Sequence, residues 1–124
     1  MVNWLETHNN VSFLVAILLA GFIFYSSSIP SSSFPSGLGI LTKLYHLGIF
    51  FILTFFLLMA LVQGKAQYKY FILTTLLIVI AYAITDELHQ LFVLGRNTAI
   101  GDVLIDSIGI FCAGALYSLT IKEK

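Results

Sequence analysis

Four long apolar stretches separated by short polar ones organise the chain: residues 11–25, 44–62, 70–84 and 103–121. A helix needs about 20 apolar residues to cross about 30 Å of hydrocarbon, and the second and fourth stretches meet that length. The first and third hold 15 residues each, so as spans they must recruit polar neighbours, tilt, or thin the bilayer. One such run alone would suit a buried helix of a soluble protein; four in 124 residues do not. The pattern predicts an all-α fold, a polytopic membrane protein with a bundle of about four transmembrane helices in one domain over residues 1–124. No internal repeat stands out, and no linker is long enough to divide that domain.

The first stretch is expected to be retained rather than cleaved as a secretion signal. Residues 1–10 hold no Lys or Arg and one acid, Glu6, and 26–30 lacks an alanine-bearing cleavage pattern. Trp4 and Tyr25 then stand where the two membrane interfaces fall.

Composition narrows the function classes. Hydrophobic residues make up 59% of the chain and charged ones 10%, against roughly 45–50% and about 25% in soluble domains. Six Lys/Arg and six Asp/Glu could not cover the surface of so small a soluble globule. Zero net formal charge excludes a polybasic nucleic-acid binder. The single cysteine, Cys112, excludes a disulfide framework and the common zinc-finger spacings; amid apolar neighbours it reads as a packing residue.

Topology follows from the basic residues. With four spans, the N-terminus, residues 63–69 and the C-terminus share one side, which carries Lys65, Lys69, Lys122 and Lys124. The opposite side carries Lys43 and Arg96. The positive-inside rule puts both termini in the cytoplasm of a multi-pass cell-membrane protein, with 26–43 and 85–101 facing outward. The serine-rich segment before Pro35 reads either as a connector that satisfies its own backbone at the water interface or as a lid over a site.

Polar residues gather in one place. Residues 86–106 contain Asp86, Glu87, His89, Arg96, Asp102 and Asp106, which are four of the six acids and the one arginine. Ionisable groups at the edge of a membrane are costly and mark candidate functional sites. On a helix, Asp86, His89 and Gln90 share a face, as do Glu87 with Gln90, and Lys43 with His46. Asp102 and Asp106 lie four apart, and Gly109 and Ala113 continue their face as small residues suited to close helix packing; a homo-oligomer also remains open. All these groups sit at the outward ends of the second, third and fourth spans, where they can converge. Plainer roles exist for several. Asp102 can cap the fourth helix, His46 can bond a core carbonyl, Asp86 can decorate the surface, and Lys43 can snorkel. Arg96 is expected to pair with the acids around it.

Several chemistries fit such a cluster. His46 and His89 beside carboxylates have the right types for metal binding, but no HExxH or CxxC accompanies them, and no metal or cofactor is expected. Glu87, His46 and Asp102 are candidate acids and bases for catalysis on an ester or phosphate. Lys43 and Arg96 suit an anionic head group, with Lys43, His46, Asp86, Glu87, Gln90, Arg96, Asp102 and Asp106 as candidate binding residues. Proton relay through carboxylates and histidines is a further possibility.

The run from Thr85 through Asp86-Glu87-Leu88-His89-Gln90-Leu91-Phe92-Val93-Leu94-Gly95-Arg96, with Asp102-Val103 and the spaced Gly109 and Gly114, resembles the signature of the VanZ-like family. That signature reads D-E-x-x-Q-x-F-x-x-G-R, then an Asp-hydrophobic pair, an Asn three positions on, and two glycines. Lys43 and His46 resemble its D-K-x-x-H motif, and the run from Phe24 through Ser26-Ser27-Ser28 to Pro30 is similar to the exit of its first helix. Two positions depart from the pattern: Thr42 stands for the acid before the lysine, and Asp106 for the asparagine. If that asparagine donates a hydrogen bond, Asp106 must carry a proton or accept from Arg96 or Lys43 instead. The resemblance implies a small membrane protein linked to resistance to the glycopeptide teicoplanin. The expected partners are membrane lipids and a lipid-linked or glycopeptide ligand, with a lipid-modifying membrane enzyme as the alternative.

Overall fold

The computed structural model describes residues 1–33, 35–63, 65–96 and 98–122, and only the backbone of Ser31 and Lys122. Lys124, one of the basic residues used for topology, lies outside them. Every regular element among the described residues is helical: α1 (Val2–Thr7), α2 (Asn9–Ser27), a 3-10 turn (Ser31–Ser33), α3 (Gly39–Val62), α4 (Tyr68–Gln90) and α5 (Ile100–Lys122). Helices α2 to α5 are each long and apolar enough to cross a membrane.

Each helix runs past its apolar stretch at one end or both. The short third stretch gains most, because α4 continues through Thr85, Asp86, Glu87, Leu88, His89 and Gln90. Its polar neighbours are thus the last turns of the span itself. Local chemistry sets the ends. Pro30 has no N–H to carry α2 onward. Gln63 closes α3 in the left-handed region at φ 48°, and Gly37 (φ 88°) and Gly95 (φ 74°) turn the chain where other residues would be strained.

Helix α3 is central. It packs most extensively on α5, then on α2 and α4, while α1 folds under the bundle against α3 and α2. A Cβ at Gly109 would overlap the carbonyl oxygen of Leu47 on α3, and one at Gly114 would press to 3.1 Å from the Leu76 side chain on α4. The small-residue face of α5 is therefore used within the chain, letting backbones approach as membrane helices do. Toward the cavity end the core holds Ile23, Phe50, Leu53, Val79, Ala83 and Ile110. Toward the α1 end it holds Leu5, Leu58, Met59, Val62 and Tyr117. Leu18, Leu44, Leu77 and Leu119 point outward and stay exposed, as lipid-facing residues do. Cys112 corrects an expectation: it is exposed, not packed. The inward stripe of α5 runs through Asp106, Gly109, Ile110, Ala113, Gly114 and Tyr117, and helical geometry turns Cys112 outward beside Phe111 and Leu116.

Candidate functional site

The polar residues converge at the end of the bundle where α2 and α4 finish and α3 and α5 begin. Three successive serines at the end of α2 point in three directions. Ser27, buried, donates to Asp86 Oδ2 at 2.8 Å and accepts from Gln90 Nε2 at 3.4 Å. Asp86 and Gln90 lie four apart on α4, so one hydroxyl meets both. Ser28 hydrogen-bonds His89 Nε2 at 2.9 Å, and the His89 ring stacks on Phe24 at 4.2 Å between centroids. Ser26 meets the Tyr45 hydroxyl at 3.2 Å. Ser26 and Ser28 also donate to the Ile23 and Phe24 carbonyls of their own helix, as a connector that satisfies its own backbone does, while Ser27 and Ser28 hold the polar end of α4. The serine-rich segment and the family-like exit from the first helix were the signals that pointed to them.

Two charged residues tie the loops. Arg96 donates from Nε to the Ile29 carbonyl at 3.1 Å and from Nη2 to the Ser26 carbonyl at 3.3 Å. It thereby places a cation at the C-terminal end of α2, where free carbonyls gather. Glu87 accepts from the Ala99 backbone N–H at 3.0 Å and so fixes the approach to α5. Asp102 follows in the first turn of α5, where the helix dipole favours an anion.

One turn deeper, Asp106 is 1% exposed. Its Oδ1 lies 3.7 Å from His46 Nδ1, close enough for charge attraction but too far for a hydrogen bond. The basic side chain it meets is thus His46, rather than the Arg96 or Lys43 expected from sequence. Asp106 Oδ1 and Asp86 Oδ1 are both buried without a hydrogen-bond partner, a costly state for a carboxyl group.

A cavity of about 230 Å³ opens between these helices. It is lined by Gly39, Thr42, Lys43, His46, Glu87, Gln90, Gly95, Arg96, Asp102 and Ile105. Six of the eight binding candidates therefore line one space, with Asp86 and Asp106 buried outside its lining. A second, mostly apolar cavity of about 610 Å³ adjoins it, lined by residues that include Phe22, Ile29, Pro35, Leu38, Leu41 and Tyr45. Gly39, Thr42, His46 and Arg96 line both. Among the described residues, no three of His, Cys, Asp and Glu are grouped as metal ligands.

Compared with protein families, residues 12–121 match VanZ/LLP1. The chain belongs to that family. No curated protein and no solved structure matches it. On the VanZ/LLP1 chain, the D-E-x-x-Q-x-F-x-x-G-R residues supply Glu87, Gln90, Gly95 and Arg96 to the cavity, and the Lys43/His46 motif supplies its α3 wall. Thr42, where the family pattern has an acid, also lines it.

Proposed function

We propose that this VanZ/LLP1 protein binds, at the outer face of the cell membrane, a lipid-linked or lipophilic envelope ligand with an anionic centre in its head group. The observation that carries the reading is the pairing of two compartments. A polar cavity holding Lys43 and Arg96 adjoins, across four shared lining residues, a larger apolar cavity at the same end of the bundle. That division matches an amphiphile, the head group in the first space and the hydrocarbon chain in the second. Both termini lie in the cytoplasm on this reading, supported by Lys65 between α3 and α4 and Lys69 in the first turn of α4, at the opposite end. Tolerance to teicoplanin, whose lipid tail and envelope target suit such a site, is the cellular effect we propose.

Two measurements test the reading. The full chain, purified in mild detergent, should retain endogenous lipid detectable by native mass spectrometry, and Lys43→Met should lose at least five-fold of it. Expression in a glycopeptide-sensitive Gram-positive host should raise tolerance to teicoplanin more than to vancomycin. Wild-type protein free of lipid sinks the binding reading; unchanged susceptibility at full expression sinks the cellular one.

His46 favours a second reading. It lines the cavity with the Asp106 carboxyl behind it, an arrangement suited to moving a proton during hydrolysis or transfer of a lipid head group. An altered lipid in expressing cells, absent with His46→Gln, would support it; identical lipid profiles would remove it.

A further inference from the structure

Resting on the binding reading above, we infer that the head group is zwitterionic: its anionic centre faces Lys43 and its ammonium centre faces Asp102. Both charges line the same cavity, Lys43 from α3 and Asp102 from the first turn of α5. Among the described residues, neither forms an ion pair with the other or with anything else. The other two charged residues of the lining are already engaged, Arg96 on two carbonyls and Glu87 on the Ala99 N–H. Lys43 and Asp102 are thus the two poles of the cavity left for a guest.

The lining favours a guest that also brings positive charge. Its permanent cations are Lys43 and Arg96 and its carboxyl groups Glu87 and Asp102. A purely anionic head group would take up Lys43 and leave Asp102 with no cation in a setting where charges are poorly screened. One that also carries an ammonium supplies it, and sets three N–H donors against the carboxylate of Asp102. A phosphate ester bearing a primary amine has this chemistry.

The test uses the full chain reconstituted in nanodiscs of equal phosphatidylethanolamine and phosphatidylglycerol, then released into detergent for native mass spectrometry. Wild type should retain the ethanolamine lipid at least five-fold over the glycerol lipid. Asp102→Asn, close in shape, should bring that ratio near one by lowering retention of the ethanolamine lipid, and Asp102→Glu should restore the preference. Lys43→Met should lower retention of both lipids at least five-fold. Lipid retained by wild type with no preference, or a preference that Asp102→Asn leaves intact, overturns the zwitterionic assignment and spares the binding site. Wild type retaining neither lipid overturns both.

Discussion

The two ends of the bundle each bring a carboxyl group against a hydroxyl, and they do so with opposite completeness. At the α1 end, Tyr117 donates to Glu6 beside Leu5, Leu58, Met59 and Val62. Glu6 is partly exposed, so water also reaches it. At the cavity end, Ser27 donates to one oxygen of Asp86 and leaves the other unpartnered, and Asp106 likewise has an oxygen without a donor. Polar groups within a membrane protein are normally satisfied, because hydrocarbon offers no substitute for water. The α1 end is therefore a closure, with a short helix latched under the bundle. The other end leaves two buried carboxyl oxygens without a donor close to a cavity, so it is not closed in the same way.

Substitutions can break that contrast. The largest effect should come from neither end but from the contact that holds both together. Gly109→Leu would drive a side chain into the Leu47 backbone and should cost on the order of 3 kcal/mol, read as a large drop in thermal unfolding temperature in detergent. Ser27→Ala removes the donor to a carboxyl group that is 2% exposed and should cost about 2 kcal/mol, with a matching loss of lipid retention. Tyr117→Phe deletes one hydroxyl at the α1 end, where water can replace it. It should cost about 1 kcal/mol and leave lipid retention unchanged. An equal loss for Ser27→Ala and Tyr117→Phe would erase the distinction between the ends. Asp106→Asn should go the other way, raising stability by about 0.5 kcal/mol, because an amide is cheaper to bury than an unpartnered carboxyl. A destabilised Asp106→Asn protein would mean that the His46 contact outweighs the cost of burying the charge.

Glu87, Gln90, Arg96, Asp102, Lys43 and His46 were legible as candidates because a chain with so few charges groups them at the ends of three spans. Helical spacing placed all but Arg96 on shared faces, and the structure brings all six to one cavity. Less legible were Ser27 and Ser28, since a serine run after an apolar stretch looks the same whether it faces water or Asp86. The outward turn of Cys112 was legible in part: the face of Asp106, Gly109 and Ala113 marks the inward side of α5, and Cys112 lies off it.

The amino-acid sequence by itself determined the number of spanning helices, their approximate limits and the end of the bundle at which charge collects, but not the short α1. Those properties depend on hydrophobic length and on the cost of ionisable groups, both local to each segment. Only the tertiary structure decided that α3 sits at the centre, that Gly109 meets the Leu47 carbonyl, and that Arg96 spends hydrogen bonds on α2 while Asp106 faces His46. Such pairings join residues far apart in the chain, and inside a membrane they arise from close packing and hydrogen bonding rather than from the hydrophobic pattern, which lipid and protein interior satisfy equally.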